Sequence, residues 1–254
     1  LTGAGISLDS GIPAYRDASG KWLPGPPVQE RDFLQDPHTR RRYWARSWYG
    51  WPRIRDARPN HGHRSLAKLE AQGHLELLIT QNVDGLHQKA GSREVVDLHG
   101  RVDRARCLRC GETHCRDAVQ EQLRRHNRWA EQPSASVRPD GDMEVSSQAV
   151  DAIVLPRCPD CDGDLRPDVV FFGGSVPGAR VQRCQQALEK ADALLVVGSS
   201  LKVFSGFRFC RRASALNKPI AIINPGLTRG DELAQTRLRS PAGPLLAEVV
   251  SRLQ

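Results

Sequence analysis

No uninterrupted apolar run in these 254 residues approaches the roughly 20 that cross a bilayer, so no membrane-spanning helix is expected. A small disulfide framework is also missing. Four of the seven cysteines fall in two Cys-x-x-Cys pairs, which in a chain of this size favours metal over disulfides. A reducing compartment is therefore expected: the cytoplasm of a bacterium, or the mitochondrial matrix of a eukaryote. Lysine is scarce, and nearly all of the 37 cations are arginine; against 29 acids they leave a net charge of +8. That charge offers weak attraction to acidic partners. No nucleic-acid module accompanies it, and the clusters Arg40-Arg41-Arg42 and Arg124-Arg125 are short, so no specific nucleic-acid binding is expected. No internal repeat is found. The opening residues carry no secretory pattern and no initiator methionine: Leu1 comes first, with glycines within two residues. A dinucleotide fingerprint needs a buried strand before its first glycine. The expectation is a fragment that lacks an N-terminal helix and most of its first strand.

What is present alternates between short apolar runs and helical patterns. Residues 75–79, 95–98, 169–172, 193–197 and 220–223 read as strands. Residues 64–72, 180–190, 208–217 and 245–253 read as helices. In the second of these, Val181, Cys184, Leu188 and Ala191 follow helical spacing, which makes Cys184 a core residue. Such alternation predicts an α/β fold with a doubly wound, parallel, Rossmann-like sheet. The stretch 102–166 breaks the pattern. It is polar and holds the cysteine pairs, and it reads as a small inserted zinc-binding module. The expected division is 1–101 with 167–254 for the larger domain and 102–166 for the module.

Cys107, Cys110, Cys158 and Cys161 can complete a tetrahedral thiolate shell with no open position, so the zinc they imply is structural. Cys115 reads as a spare thiol and Cys210 as core. The segment Thr80-Gln81-Asn82-Val83-Asp84-Gly85-Leu86-His87 follows a short apolar run, and His99-Gly100 follows a second. Polar groups just past the carboxyl ends of strands lie where α/β sheets hold ligands. Asp84 also suits a helix N-cap, with a helix from 85 to 90. Among eight histidines, His61, His63 and His87 read first as structural, His63 bracing the helix that follows it. His99 is the candidate base, because an imidazole with a pKa near 6.5 suits proton transfer at neutral pH. Gly3-Ala4-Gly5 can bring backbone N–H groups to a pyrophosphate or can form an ordinary tight turn. Leu8 stands where the third glycine of a dehydrogenase fingerprint would be.

Taken together, Gly3-Ala4-Gly5-Ile6-Ser7, Ser10-Gly11-Ile12-Pro13-Ala14-Tyr15-Arg16, the cluster 81–84 and His99-Gly100 resemble the sirtuin (Sir2) family of NAD-dependent protein deacylases. The two cysteine pairs, the run 167–173, Gly198-Ser199-Ser200-Leu201 and Asn224-Pro225-Gly226 extend the likeness across essentially the whole chain. Arg42-Tyr43-Trp44-Ala45-Arg46, Gly50-Trp51-Pro52 and Pro139-Asp140-Gly141-Asp142 resemble class II, the branch that includes a mitochondrial sirtuin of animals. The resemblance implies that NAD is held by Gly3, Ala4, Gly5, Ser7, Ile12, Pro13, Tyr15, Arg16, Gln81, Asn82, Val83, Asp84, Gly198, Ser199, Ser200, Asn224, Pro225, Gly226 and Ala242. Asp84 would recognise the nicotinamide carboxamide, Asn82 would position the ribose and a water, and His99 would be the base. An acyl-lysine oxygen attacks the ribose carbon, nicotinamide leaves, and the products are free lysine and 2′-O-acyl-ADP-ribose. Val170, Phe172 and Gly173 would receive the substrate peptide by strand addition. Gly174 stands where the family usually carries an acid, which weakens the expected affinity for basic peptides. The stretch 18–24 lacks the Tyr and Arg that receive acidic acyl chains in another class, and class II points to bulkier acyl groups. The expected partners are acyl-lysine proteins or peptides acting on a monomer. Protein mono-ADP-ribosylation, or an NAD-sensing interaction module without catalysis, remain as alternatives.

Overall fold

The computed structural model describes residues 1–14, 27–127 and 145–253. In chain order the strands are β1 (Leu78–Thr80), β2 (Val95–Asp97), β3 (Gly100–Cys107), β4 (Thr113–Cys115), β5 (Leu165–Val169), β6 (Leu194–Val197), β7 (Ile220–Ile223) and β8 (Thr236–Leu238). The helices are α1 (Glu30–Gln35), α2 (Pro37–Asp56), α3 (His61–Ala71), α4 (Leu86–Lys89), α5 (Arg116–His126), α6 (Ser147–Ala152), α7 (Gly178–Lys190), α8 (Phe204–Ala215) and α9 (Ala242–Arg252). Among the described residues, no helix is long and apolar enough to cross a membrane. Packing divides the chain into two units. Leu1–Leu23, Ala57–His99 and Val176–Gln254 form the first; Pro24–Asp56 and Gly100–Ser175 form the second. The second unit is thus larger than the stretch 102–166 read from sequence, because 24–56 packs with it.

In the first unit all strand pairs are parallel. β1 pairs with β2, and β6–β7–β8 form a second group. Thr2 joins them, bridging Thr80 on one side and Val197 on the other. Its N–H donates to Ile79 O at 2.8 Å, and its carbonyl accepts from Gln81 N at 3.0 Å. Successive strand residues face opposite sides of a sheet. Accordingly Leu78, Val197 and Ile223 pack with Leu66, Leu69, Leu246 and Val250 of α3 and α9. Their neighbours Ile79, Val196 and Ile222 pack with Cys184, Leu188, Phe209 and Cys210 of α7 and α8. This is the expected doubly wound sheet, with Cys184 and Cys210 in its core.

A short 3₁₀ helix, Ala4–Ser10, leaves the sheet after Thr2. Its start crosses the loop after β6 backbone to backbone, with Gly5 N donating to Gly198 O at 2.8 Å. A Cβ on Gly198, whose φ is +59°, would stand 2.4 Å from Ile6 N. Glycine is therefore required at this crossing on both conformational and steric grounds.

The second unit is built around an antiparallel sheet in the order β4-β3-β5. Here the expected parallel core strand at 169–172 is corrected. The strand is Leu165–Val169, and it runs antiparallel to β3, with Gly100 opposite Val169 and Cys107 opposite Leu165. A side chain at Gly100 (φ +79°) would meet Asp168 O at 2.0 Å, so the glycine after His99 lets this pairing begin. Asp36 caps α2 through Thr39 N at 3.0 Å and Thr39 Oγ1 at 2.6 Å. Trp44 Nε1 donates to Leu165 O at 3.1 Å and Trp51 Nε1 to Asp117 Oδ1 at 2.7 Å. The fully buried Arg116 guanidinium lies over both indole rings, 5.3 and 5.4 Å from their centres. Those aromatic residues are core, not surface.

The four cysteine sulfurs lie within 4.8 Å of one another. Cys107 and Cys161 are 3.5 Å apart, and Cys110 and Cys158 are 3.7 Å apart. A tetrahedral ion with Zn–S bonds of about 2.3 Å requires sulfur edges of about 3.8 Å, so the set fits zinc. Backbone N–H groups of Arg109 and Cys110 point at Cys107 Sγ, at 3.3 and 3.5 Å, as a thiolate would want. Structural zinc contributes on the order of 10–16 kcal/mol in small peptides. Cys158→Ala should therefore lose bound zinc and thermal stability together; a zinc-free variant that melts and turns over like the parent would refute the structural role. Gly198→Ala should cost about 2–5 kcal/mol from overpacking and a left-handed backbone, read by denaturant unfolding. An unchanged midpoint would show that the crossing can relax.

Candidate functional site

The parallel register places Asp97, Thr80, Thr2, Val197, Ile223 and Leu238 in one row across the sheet. The chain therefore leaves six strand ends side by side, at Leu98-His99, Gln81, Gly3, Gly198, Asn224 and Arg239. The order reverses at Thr2, with β1 and β2 to one side and β6 to β8 to the other. Ligands of open α/β sheets bind at such a switch point, beyond the carboxyl ends.

Around Ser7 the polar groups close into one network. The Ser7 hydroxyl donates to Asp84 Oδ2 at 2.7 Å, and Asn82 Nδ2 donates to Ser7 Oγ and to Gly3 O, both at 3.1 Å. The other oxygen of Asp84 accepts from Leu86 N at 2.9 Å, but the N-cap of α4 is Gly85, so Asp84 stands one residue before the cap expected of it, as a buried carboxylate beside Asn82. Burial pushes its pKa above the usual carboxylate value, opposed by the Leu86 and Ser7 hydrogen bonds. Asn60 and His63 brace the network from α3. Asn60 Nδ2 donates to Ile6 O at 2.7 Å, and Asn60 with His63 forms a capping box. Desolvation lowers the His63 pKa to about 4, so the ring is neutral at pH 7. His87 is buried as well, and its Nε2 lies 2.9 Å from Thr2 Oγ1. Both rings are structural, as read from sequence.

His99 stands two residues beyond β2. Its Nδ1 is 2.9 Å from Gln81 O. A carbonyl only accepts, so Nδ1 carries the proton and Nε2 presents its lone pair. That lone pair faces Ser205 Oγ at 2.7 Å. Burial lowers the His99 pKa; the Gln81 carbonyl opposes this and the nearby Arg180 and Arg208 add to it. The imidazole is thus neutral near pH 7 and able to take a proton. The Gln81 side chain donates to Ser199 Oγ at 2.8 Å, tying β1's end to the loop after β6.

The other candidates are distributed along the same edge. Ala4 and Gly5 begin the 3₁₀ helix; Ile12, Pro13 and Val83 are half-buried; Ser200 follows Ser199. Asn224 Nδ2 donates to Gly226 O at 2.9 Å across Pro225. Ala242 is buried at the start of α9. Tyr15 and Arg16, with 18–24 and 139–142, lie outside the described residues. Val170, Phe172 and Gly173 belong to the second unit. There Phe172 bridges Gln29, and Phe172 O accepts from Glu30 N at 2.8 Å. The room left by Gly174 is taken by the Glu30 carboxylate, which pairs with Arg166 at 2.8 Å. Sequence reasoning missed Asn60, although an asparagine three residues before His63 is a legible capping pattern. It also missed Ser205 and His114, whose Nε2 is 3.3 Å from Cys158 Sγ; neither has a local signal.

Comparison with known proteins agrees with this geometry. The chain is 50% identical over 252 residues to the NAD-dependent protein deacetylase of Bordetella bronchiseptica, covering 99% of this chain and 92% of that protein. It is 52% identical over 248 residues to the NAD-dependent protein deacetylase of Xanthomonas campestris pv. campestris, covering 97% and 84%. A solved Sir2 complex with a p53 peptide and NAD⁺ superposes with a TM-score of 0.77 at 29% identity, covering 99% of this chain and 91% of that one. The Sir2 family profile matches residues 3–205. This chain belongs to the Sir2 family.

Proposed function

We propose that the chain is an NAD-dependent protein-lysine deacylase, with deacetylation as its core activity. The activity named for its relatives supports this reading. The observation that carries it is the neutral His99, whose Nδ1 is fixed by Gln81 O and whose Nε2 is basic, on the same strand-end row as the Asn82–Ser7–Asp84 network. NAD would supply the ribosyl carbon that takes the acyl oxygen and releases nicotinamide, leaving 2′-O-acyl-ADP-ribose. The glycine crossing and Ser199–Ser200 would hold its phosphates, and Asn224 its ribose hydroxyls. Asp84 would accept from the carboxamide NH₂, Asn82 would orient the nicotinamide ribose, and His99 would take the proton of a ribose hydroxyl. Val170, Phe172 and Gly173 would bind the peptide through main-chain groups. The preference for lipoyl, biotinyl or branched dicarboxyl groups rests on the class II resemblance alone, since Trp44 and Trp51 are core residues. The clustered Cys107, Cys110, Cys158 and Cys161 would need a reducing compartment to stay thiolate, and the reading places the chain in the bacterial cytoplasm.

The direct test is NAD-dependent release from a panel of acyl-lysine peptides, with 2′-O-acyl-ADP-ribose as product. Label from NAD left on protein would mean ADP-ribosyl transfer instead, and NAD binding without turnover would mean a sensing module. His99→Ala should lose about 10²–10⁴-fold in rate with little change in NAD affinity. His87→Ala should lose stability in preference to rate. Because burial holds the His99 pKa down, the neutral base persists below pH 6.5, and the acid limb of kcat/KM should have its midpoint under that value. A midpoint above 6.5 would contradict the assignment.

Asp84→Asn replaces one acceptor oxygen by a donor NH₂. It should raise KM for NAD and slow exchange of labelled nicotinamide while peptide affinity stays constant. Parental exchange with lost peptide affinity would place Asp84 in the wrong pocket.

A further inference from the structure

Ser205 is buried in the first turn of α8, and its hydroxyl lies 2.7 Å from His99 Nε2. No role assigned above uses it. The Nδ1–H donates to Gln81 O, so the Nε2 lone pair can only accept, and Ser205 Oγ–H is its donor. The imidazole is therefore gripped at both ends, by a carbonyl on Nδ1 and a hydroxyl on Nε2. Gln81 supplies the first grip through its carbonyl and packs against the helix that carries the second. A Cβ on Gly206, the next residue along α8, would stand 2.4 Å from Gln81 Oε1. The start of α8 thus bears on the side chain of the residue whose carbonyl holds the ring. Gln81 is itself fixed, through Ser199 Oγ at 2.8 Å and through its backbone N–H to Thr2 O at 3.0 Å.

We propose that Ser205 is a positioning residue for His99, an inference that rests on the deacylase reading. Its hydroxyl holds the imidazole in one rotamer while the site is empty, and the ring held there keeps its Nδ1–H on Gln81 O, which sets the tautomer. It keeps the basic nitrogen turned toward the position where a substrate hydroxyl must replace it. When that hydroxyl arrives, Ser205 gives up Nε2 and the ring is already aligned. Without it, one hydrogen bond remains, the ring can turn about its Cβ–Cγ bond, and productive orientations become rarer.

The experiment compares Ser205→Ala with Ser205→Thr in the full chain. Loss of one hydrogen bond to the base should lower kcat for deacylation by about 5–30-fold in Ser205→Ala. KM for NAD and nicotinamide exchange, which precede the base's step, should stay within about 2-fold of the parent. Ser205→Thr keeps the hydroxyl and should recover most of the loss. ¹⁵N spectra should show His99 as a single Nδ1–H tautomer in the parent and in Ser205→Thr, and as a mixture in Ser205→Ala. If Ser205→Ala does not fold, Ser205→Cys, a weak donor of similar size, takes its place and should fall between parent and Ala in both readouts. Parental kcat and a single tautomer in the variant lacking the hydroxyl would overturn the proposal. So would equal losses of exchange and deacylation without a tautomer change. A parent chain with no NAD-dependent deacylation would overturn the deacylase reading instead, leaving the tautomer measurement to decide whether Ser205 positions the ring.

Discussion

Thr2 carries the backbone hydrogen bonds on which the reactive edge depends. It is paired on both sides, with its own N–H and C=O bonded to β1 while the flanking Leu1 O and Gly3 N bond Val197 of β6. Buried backbone groups must find partners, and here three residues, Leu1 to Gly3, supply them to both groups of strands. Its carbonyl receives Gln81 N, and Gln81 in turn presents its carbonyl to His99 and its amide to Ser199. Its hydroxyl donates to Thr80 Oγ1 at 2.9 Å, which in turn accepts from Asn82 N at 3.1 Å. The candidate base and the amide beside Asp84 are thus positioned by bonds that begin at one threonine.

The strand-end cluster was legible because short, largely apolar runs stop abruptly at polar residues, and the parallel register then forces those polar residues into a row. The cysteine shell was legible from spacing alone, since tight turns bring two thiolates together without any help from the rest of the fold. The strand read at 169–172 lies at Leu165–Val169 instead, because the apolar run Val169 to Phe172 looks like a parallel core strand. What decides its partner is β3, far away in sequence, and Pro167 falls inside the strand that forms. The membership of 24–56 in the second unit was equally hidden. It depends on contacts such as Phe33 stacked on Phe171 at 4.8 Å, which no local periodicity encodes.

Several residues serve structure and site at once. Gly3 and Gly5 were read as a phosphate turn or an ordinary one; the crossing with Gly198 gives them a packing duty independent of any ligand. Asp84 both accepts from Leu86 N at the start of α4 and lies in the network of Ser7 and Asn82. His63 and His87 add buried neutral rings that hold this network without titrating near neutrality. Substitutions here will mix folding and chemistry, which is why the readouts that separate steps, exchange against turnover, are more informative than rate alone.

The cysteine shell also has a topological consequence. Cys107 and Cys110 flank one turn, Cys158 and Cys161 another, and an ion binding all four would pin the two ends of the sequence between them. Closing a loop becomes costlier only with the logarithm of its length, about 0.6 kcal/mol for each doubling. Once the ends are clamped, a change in the length of that stretch costs little loop-closure entropy. The clamp relaxes only length: β4, α5 and α6, which lie within the stretch, stay bound by their own pairing and packing, with Arg116, Val119, Leu123 and Val150 buried.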